Sequence, residues 1–335
     1  MTPAYRKKCR AWLSSIIYDF RIATISSEMS LLGVIDKVDT FPYDHIPGHY
    51  YRFLAHDGVC IGYMTKDMAV MFDGEPDFSV DNEAKTVAMG SHLTTIEARN
   101  EVCSSIASRW RRLPQFSLSL DKGWRDELYT VYNPLSTPYM LVERAFLVLL
   151  GIVTYGVHIN GYVPASKSKD GKLKMWIPRR SATKSTFPGM LDNTVAGGLG
   201  YPYGISDTVT KECQEEAGLD AEFVQLHIKP TGVVLYMIQP DGPEHQVQPE
   251  VEYTFDLEFD DETSVLPFPE DGEAENFLLM TLDELLPKVM AGEFKPNCGL
   301  IIVDFLVRHG LVGPETPDYA EIVSRSHRRF PFPTL

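Results

Sequence analysis

Hydrophobic and polar residues alternate differently in the two halves of the chain, and the first half predicts a small α+β domain. The segment Tyr50 to Met64 has the pattern of two strands that turn at Asp57-Gly58, a dipeptide typical of two-residue hairpins. From about Thr95 to Arg112, apolar residues recur every four positions, which predicts a helix. The mostly apolar segment Tyr139 to Leu150 predicts a second helix, which would pack the two halves together.

The second half of the chain changes to strand-like runs separated by Pro, Gly and Asp. YGVHINGYV and KLKMWI, between Thr154 and Ile177, flank a polar turn at Asp170-Gly171. Three further strand-like runs follow residue 220: AEFVQLHI, TGVVLYMIQ and VEYTFDLEF. Two helices, Thr281 to Ala291 and about Asn297 to His309, would then cover a face of the mixed sheet that these strands form.

Together these patterns predict an α/β protein, α+β overall, with two domains and a tail. We expect a small α+β domain over residues 1–141, a mixed sheet between helices over residues 142–320, and a C-terminal tail over residues 321–335. A chain of 335 residues is long enough to bury a sizeable core in each domain. The second domain also contains the residues with the clearest chemistry.

Residues Leu191 to Leu219 place a glycine-rich turn directly before a short helix. Ser206 as the N-terminal cap and Gly218 at the C-terminus predict a helix from about Asp207 to Ala217. Three glutamates share one face of this helix at i, i+3 and i+4: Glu212, Glu215 and Glu216. Like charges at this spacing repel by roughly 0.2–0.5 kcal/mol per pair, which a solvated face tolerates. A divalent cation would turn this repulsion into attraction, since carboxylate oxygens are ligands for Mg²⁺.

Residues before the helix add a second group of candidates. Gly197 and Gly198 let the backbone approach a ligand closely just ahead of the glutamates. Arg179, Arg180 and Lys184 form the basic cluster close in sequence to the glycine loop, and arginine suits bidentate recognition of phosphate. We therefore assign these three cations to a diphosphate group. The alternative is that they are solvated cations at the end of a strand.

Composition limits the partners and the compartment. The formal net charge of −15 argues against nucleic acid or an anionic membrane as the main partner, so we expect a small-molecule substrate. Five scattered cysteines without a C-x-x-C pair indicate reduced thiols and a cytoplasmic location. The basic N-terminus leaves a mitochondrial transit peptide as the alternative to an amphipathic first helix. The most apolar run, Ala145 to Val153, is far shorter than the ~20 residues that span a bilayer.

The glycine loop and glutamate helix resemble the Nudix box. The family pattern is a glycine, five residues, a glutamate and seven residues, followed by Arg-Glu-apolar-x-Glu-Glu-x-Gly-apolar. Residues Lys211 to Leu219 match the second half in register, with lysine in place of the arginine. The first half departs from the pattern, since Tyr203 stands where the family has its glutamate. The second half of the pattern, from Lys211 to Leu219, is the half that binds metal in the family, and it is intact.

Four longer phrases are similar to the thiamine-pyrophosphokinase-related Nudix proteins of fungi and plants. They are GWRDELYTVY from Gly123, GIVTYGVHINGY from Gly151, FPGMLDNTVAGGL from Phe187 and FKPNCGLIIVDFLVRHG from Phe294, and together they span most of the chain. The resemblance implies a Nudix α/β/α sandwich with a mixed sheet, preceded by an extra N-terminal domain. It also implies hydrolysis of a diphosphate, with oxidised analogues of thiamine diphosphate as the substrates.

The resemblance assigns roles to the charged residues. Glu212, Glu215 and Glu216 would hold Mg²⁺, with Mn²⁺ as an alternative, and Lys211 would orient these glutamates. The acidic loop between Glu258 and Glu275 would supply Glu273 as a further metal ligand, whereas the ordinary interpretation of such a run is a solvated surface.

Two aromatic residues are candidates for contacts to the heterocycle of the substrate. They are Trp176 and Phe187, and the alternative for each is a place in the core. His158 lies within a strand pattern and is interpreted as a core histidine with its hydrogen bonds satisfied, not as a base. None of these three assignments follows from spacing alone.

Three other functions stay open at this point. An oxidised nucleoside diphosphate such as 8-oxo-dGDP is an alternative substrate, because the glutamate helix would recognise the diphosphate and not the base. A binding module without turnover is suggested by Tyr203 and Lys211, which replace family residues. A thiamine pyrophosphokinase would need an ATP site, and no G-x-x-x-x-G-K-[ST] loop is present.

Overall fold

The first part of the chain forms a four-stranded sheet covered by one long helix. In the computed structural model, which describes residues 31–239 and 246–335, the sheet has the order β2-β1-β4-β3. In chain order the elements are α1 Leu32–Ile35, β1 Tyr50–Leu54, β2 Cys60–Thr65, α2 Lys66–Val70, β3 Phe78–Asp81, β4 Thr86–Met89 and α3 Ile96–Trp110. Of these, α1 packs in the core of the second part of the chain. Cys103, Ile106 and Trp110 on α3 share a buried core with Phe53 and Phe72 of the sheet side. The predicted hairpin and helix are both confirmed.

A two-stranded hairpin and a short helix follow, where the sequence predicts one continuous helix. The elements are β5 Leu128–Tyr132, β6 Pro138–Glu143 and α4 Arg144–Leu149, after short helical turns at Pro114–Phe116 and Ser117–Asp121. The prediction of a helix from Tyr139 to Leu150 is therefore wrong over its first half. Residues Tyr139 to Val142 pair with β5 instead, with Met140 opposite Val131 and Val142 opposite Tyr129. A short apolar run fits either structure, and here pairing with the preceding strand β5 decides.

The second part of the chain is built on a six-stranded mixed sheet. The strands are β7 Thr154–Val163, β8 Lys174–Arg180, β9 Val195–Gly198, β10 Ile228–Ile238, β11 Gln248–Glu258 and β12 Ala274–Thr281. Their order is β10-β11-β7-β8-β12, and the short strand β9 also pairs with β7. β7 and β11 run parallel, whereas the other pairs are antiparallel. The predicted mixed sheet is confirmed.

Helices cover both faces of this sheet. They are α5 Ile205–Ala217 and α6 Ala221–His227 on one face, and α7 Leu282–Ala291 and α8 Pro296–Arg308 on the other, with α9 Tyr319–Arg325 near the C-terminus. Neighbouring residues of β8 show the two layers, since Trp176 packs in the core of α5 while Ile177 packs in the core of α8. This arrangement is the predicted sandwich.

Two local predictions in this part need correction. AEFVQLHI is the helix α6 and not a strand, because Asp220 accepts a hydrogen bond from the backbone N–H of Glu222 and caps a helix there. The strand begins only at Ile228. The glutamate helix begins at Ile205 with Gly204 as its cap, so Ser206 lies inside the helix. Its predicted end is confirmed, since Gly218 adopts a left-handed φ of 60°.

The two parts of the chain share a buried interface, and the C-terminal residues cover it. Tyr63 of the first sheet and Tyr155 of the second belong to one core cluster. The backbone N–H of Leu335 donates to the hydroxyl of Tyr155 at 3.2 Å, and that of Ser136 donates to the carbonyl of Thr334 at 2.7 Å. The domain boundaries at residues 141 and 320 stay predictions. In the part of the chain that the structure describes, no helix is long and apolar enough to cross a membrane.

Candidate active site

The glycine strand β9 and the glutamate helix α5 are in direct contact. Pairing of β9 with β7 places Gly197 opposite Val157, with its Cα facing the helix. A Cβ atom on Gly197 would overlap the side chain of Glu212, so only glycine leaves room for this carboxylate. The backbone N–H of Ala196 donates a hydrogen bond of 3.0 Å to Oε2 of Glu216. The loop and the helix predicted from sequence therefore form one site.

Lys211 connects two of the three glutamates. Its Nζ lies 3.0 Å from Oε1 of Glu212 and 2.7 Å from Oε2 of Glu215. The same ammonium lies 5.9 Å from the centre of the Tyr203 ring, a distance that allows a cation–π contact. Glu212 is 15% exposed and Glu215 is 54% exposed, so the glutamate face runs from the interior of the site to solvent. Lys211 thus contacts two of the glutamates, and its role in orienting them stays a prediction.

Glu216 has the strongest electrostatic perturbation of the three glutamates. Burial raises the pKa of Glu216 well above its usual range, and the hydrogen bond from Ala196 opposes this shift. The negative charges of Asp192, Glu212 and Glu273 raise the pKa further. Four carboxylates therefore lie close enough to repel one another, although Asp192 pairs with Arg180 and Glu273 pairs with Lys184.

The donor set fits a divalent cation by its chemistry. Across residues 31–239 and 246–335, no three Asp, Glu, His or Cys side chains gather around one point as a formed metal site. The carboxylates of Asp192 and Glu273 line one small cavity with Glu216, and carboxylate oxygens are the ligands preferred by Mg²⁺ and not those typical of zinc. An excess of negative charge at a buried carboxylate is also the condition that a bound cation relieves. Glu212, Glu215 and Glu216 would hold such an ion.

The predicted phosphate-binding cations lie beside these carboxylates but already have partners. Arg180 contacts Oδ2 of Asp192 at 2.5 Å and donates to the carbonyls of Thr186 and Phe187. Lys184 pairs with Glu273. The remaining member, Arg179, donates to the carbonyl of Gly189 at 2.7 Å. The three cations thus hold the segment from residue 181 to residue 192 in place, and neither Arg180 nor Lys184 is a freely solvated charge.

A cleft of about 520 Å³ opens next to the glycine strand. Its walls include Ala196, Gly197 and Gly198 of β9, together with residues of β7, β10, β11 and the start of α8. The first part of the chain closes one side with Tyr129, Arg144 and Val148. This volume lies within the range of about 300–1,000 Å³ that is common for small-molecule sites. The cleft therefore borders the glycine strand that contacts the glutamate helix.

Comparisons with known proteins give the family. A model described as the NUDIX domain matches residues 165–297, and the model "Domain of unknown function (DUF4743)" matches residues 33–154. "Uncharacterized protein YJR142W" of Saccharomyces cerevisiae is 42% identical over 326 residues, which cover 91% of this chain and 93% of that protein. "Nudix hydrolase 20, chloroplastic" of Arabidopsis thaliana is 39% identical over 211 residues, which cover 62% of this chain and 53% of the plant protein. The chain belongs to the Nudix hydrolases.

Family membership makes the protein a hydrolase of diphosphate bonds and confirms an extra domain ahead of the Nudix domain. The chain spans about half the length of the plant relatives it matches. Among solved structures, it is similar to the Nudix hydrolase RenU from M. Smegmatis, with 12% identity and a TM-score of 0.34 over 47% of this chain and 87% of that chain.

The two predicted aromatic contacts lie in different places in the Nudix domain. Trp176 is 7% exposed and packs 6.1 Å from the ring of Phe259 in the core under α5. It does not line the cleft, so the predicted contact of Trp176 with a heterocycle is wrong. The alternative, a place in the core, is correct. Phe187 is 43% exposed and lies at the cleft. Its role as a substrate contact stays a prediction.

Two cleft residues from the first part of the chain were missed by the sequence analysis. The hydroxyl of Tyr129 lies so close to Gly198 that a Cβ there would overlap it. Arg144 lies 5.5 Å from the centre of the Tyr129 ring and pairs with Glu127 at 3.1 Å. Tyr129 belongs to the phrase GWRDELYTVY, but nothing in the sequence indicates that this segment faces a glycine about seventy residues later. Only the packing of the two parts brings them together.

A cluster of four polar residues in the wall of the cleft was also missed by the sequence analysis. Glu250 and Glu252 of β11 line the cleft together with Tyr236 of β10 and His158 of β7. His158 is 3% exposed, and its Nδ1 lies 2.8 Å from Oδ1 of Asn193. Burial lowers the pKa of His158, but the charge of Glu252 and the contacts with Glu252 and Cys298 together raise it by more, so the net shift is upward. The predicted core position of His158 is correct, and its second ring nitrogen faces the cleft carboxylates.

Proposed function

We propose that this Nudix hydrolase uses Mg²⁺ to cleave an organic diphosphate into a monophosphate and inorganic phosphate, and that its substrates are oxidised thiamine diphosphates such as oxothiamine and oxythiamine diphosphate. The observation that carries this proposal is the contact of Gly197 with Glu212 at the edge of the 520 Å³ cleft. This contact supports a binding site for the cation and the two phosphates at the edge of a cleft that would take the organic group.

The charged residues around the glutamate helix have defined parts in the proposed reaction. Glu212, Glu215 and Glu216 hold Mg²⁺, and Lys211 keeps two of these carboxylates aligned through its bonds of 3.0 and 2.7 Å. When bound, the ion neutralises developing charge on the phosphoryl oxygens and lowers the pKa of the attacking water. Glu273 is the further ligand that we assign on the far side of Glu216, whose pKa its charge raises.

The cleft supplies the contacts to the substrate. The bare backbone at Gly197 and Gly198 admits the diphosphate, and Arg144 lies over Gly198 as a cationic partner for its oxygens. Phe187 lies at the same cleft as a contact for the organic group. The substrate class itself is supported by the resemblance of four phrases, of which FPGMLDNTVAGGL supplies β9 and GIVTYGVHINGY supplies β7. Reduced cysteines support a cytoplasmic location.

The first experiment is a phosphate-release assay on the purified full-length chain. The substrates are thiamine diphosphate, its oxo and oxy analogues, 8-oxo-dGDP, unmodified nucleoside diphosphates and sugar nucleotides, each with Mg²⁺ and with EDTA. We expect release that EDTA abolishes and that is concentrated on the oxidised thiamine compounds. Release mainly from 8-oxo-dGDP would assign the enzyme to damaged nucleotides instead.

A second candidate function is binding without turnover, which the pairing of Lys211 with Glu212 and Glu215 favours because an ammonium already neutralises two ligands. Binding of thiamine phosphates measured by calorimetry, with no phosphate released from any compound in the panel, would establish this function. Hydrolysis that depends on Mg²⁺ would exclude it.

A further inference from the structure

Strand register brings two glutamates to the inner wall of the cleft. Glu250 and Glu252 stand two residues apart on β11, so both side chains lie on the same face of the sheet. Glu250 lies opposite Tyr236 of β10, and Glu252 lies opposite Gly156 of β7. Gly156 in turn lies opposite Gly198, the glycine next to the reaction site. The backbone of Glu252 is therefore two strand spacings, about 10 Å, from that of Gly198, and its side chain extends over Gly156 towards Gly197.

One oxygen of this pair has no hydrogen-bond partner among the described residues. The hydroxyl of Tyr236 donates to Oε2 of Glu250 at 2.5 Å and lies 3.1 Å from Oε1 of Glu252. Oε2 of Glu252 is buried and accepts no hydrogen bond, and Nε2 of His158 is 3.6 Å away. A Cβ on Gly156 would overlap this oxygen, so the glycine keeps its place open. An acceptor buried without a donor is costly unless a ligand supplies one.

We propose that Glu252, together with Glu250 and Tyr236, recognises the organic group of the substrate, and that this group is a nitrogen heterocycle that presents N–H donors to the carboxylates. The proposal rests on the proposed function for its placement of the diphosphate at Gly197 and Gly198. The carboxylate of Glu252 and the carbonyl of Gly197 both border Gly156, so a heterocycle joined by a short linker to a diphosphate at Gly197 and Gly198 lies within reach of this carboxylate. Oε2 of Glu252 then accepts from an amino group or a ring N–H.

The charges around the pair suit this role. His158 faces Glu252, and Lys295 at the start of α8 lines the same cleft. Burial and the neighbouring Glu252 raise the pKa of Glu250 to about 7, whereas His158 holds the pKa of Glu252 at about 2 despite its burial. Glu252 is thus the charged acceptor of the pair, with His158 stabilising that charge. A charged acceptor matches the amino group of a substituted ring or the N–H of a cyclic amide.

The test is a comparison of Glu252→Gln with the wild-type chain on oxythiamine diphosphate. The amide places N–H groups where the heterocycle needs an acceptor, so we expect KM to rise at least 10-fold while kcat changes less than 3-fold. Inhibition by methylenediphosphonate, which has no heterocycle, should keep its wild-type constant. Glu258→Gln on the same strand, 25% exposed and paired with Lys167, is the matched control and should leave both quantities unchanged. An unchanged KM in Glu252→Gln, or an equal loss of methylenediphosphonate binding, would overturn the proposal.

Two further measurements test the proposal if Glu252→Gln does not fold or if the wild-type chain is inactive. If Glu252→Gln does not fold, Tyr236→Phe replaces it, and a rise in KM of at least 3-fold with unchanged methylenediphosphonate inhibition is expected. If the wild-type chain hydrolyses no diphosphate, the proposed function fails, and the inference is tested alone by calorimetry with oxythiamine, which carries no phosphate. Wild-type binding that Glu252→Gln weakens at least 10-fold would support it, and equal binding or no binding by either chain would reject it.

Discussion

At the scale of single residues, Glu216 differs from its two neighbours on the helix. It is tied to β9 by the N–H of Ala196, whereas Glu212 and Glu215 are paired with Lys211. Its pKa is raised by burial and by three nearby carboxylates, which makes it the proposed ligand that we test first. A cation at this position is stabilised by the same charges that raise the pKa.

Glu216→Gln should lower kcat by about 100-fold or more, because the amide keeps the shape of the side chain but removes the charge that holds Mg²⁺. Phosphate release from the best substrate of the panel, measured over a range of Mg²⁺ concentrations, checks this. Glu222→Gln on the exposed surface of α6 is the control and should retain full activity. Full Mg²⁺-dependent turnover in Glu216→Gln would show that the ligand assignment is wrong.

Asp256 is a buried carboxylate with a purely structural environment. Arg308 donates to it twice, at 2.9 and 3.0 Å, and His309 lies 2.7 Å away. Burial raises the pKa of Asp256, but the hydrogen bonds to His309 and Arg308 lower it by more, so the net shift is downward. A carboxylate with a folded-state pKa below its unfolded value adds stability above the unfolded pKa of ~3.9, and this stability is lost as the pH falls through the folded pKa.

Asp256→Asn should therefore lower the free energy of unfolding by about 2 kcal/mol at pH 7, because two charged hydrogen bonds to Arg308 lose their acceptor charge. The difference from wild type should shrink as the pH is lowered from about 5 towards 3. Urea denaturation at several pH values checks both statements. Asp260→Asn, at an exposed pair with Lys167, should show no measurable change. A difference that grew at low pH would contradict the assignment.

At the scale of elements, the active site depends on how closely β9 approaches α5. The helix packs Val209, Cys213 and Ala217 into the core under the sheet, which fixes the direction of its glutamate face. β9 is only four residues long, and its pairing with β7 sets its distance from that face. The geometry of the glutamates is therefore a property of a strand and a helix together.

Gly197→Ala tests this approach. The added Cβ overlaps the Glu212 side chain, so the carboxylate must move, and a displacement of about 1 Å at a reacting group can cost about 100-fold in rate. We expect kcat to fall by about that factor while the circular dichroism spectrum is retained. Gly313→Ala, where an added Cβ meets nothing within 4 Å, is the control and should leave kcat unchanged. Unchanged kcat in Gly197→Ala would show that Glu212 does not need its present position.

At the scale of the whole molecule, the first part of the chain completes the active site of the second. Tyr129 and Arg144 reach the glycine strand from the β5–β6 hairpin and from α4. The interface that holds them there includes Tyr63 and Tyr155, and Phe332 near the C-terminus packs 4.9 Å from the Tyr63 ring. Most of the length of the chain thus takes part in forming the cleft.

Arg144→Ala should raise KM for the diphosphate substrate by about 10-fold with a smaller effect on kcat, because one charge-assisted hydrogen bond to the phosphates is lost. Initial rates over a range of substrate concentrations at fixed Mg²⁺ check this. Arg125→Ala, an exposed cation near the same hairpin, should not change KM. A KM unaffected by Arg144→Ala would mean that the first part of the chain closes the cleft without binding phosphate.

The sequence by itself determined the features that depend on neighbours along the chain. The hairpin at Asp57-Gly58, the helix that ends at Gly218 and the shared face of its three glutamates all follow from local turn chemistry and from the period of the helix. The Nudix family was recognisable from the same local segments, since its pattern runs without interruption from Lys211 to Leu219.

The tertiary structure decided which segments face one another. Periodicity shows that Trp176 and Ile177 point to opposite sides of β8, but it does not show that the side of Trp176 is filled by a core and not by substrate. Likewise, nothing local indicates that Arg144 lies near Gly198 or that Glu252 borders the same cleft. These contacts join residues more than fifty positions apart, and they exist because strand pairing and core packing bring their elements together.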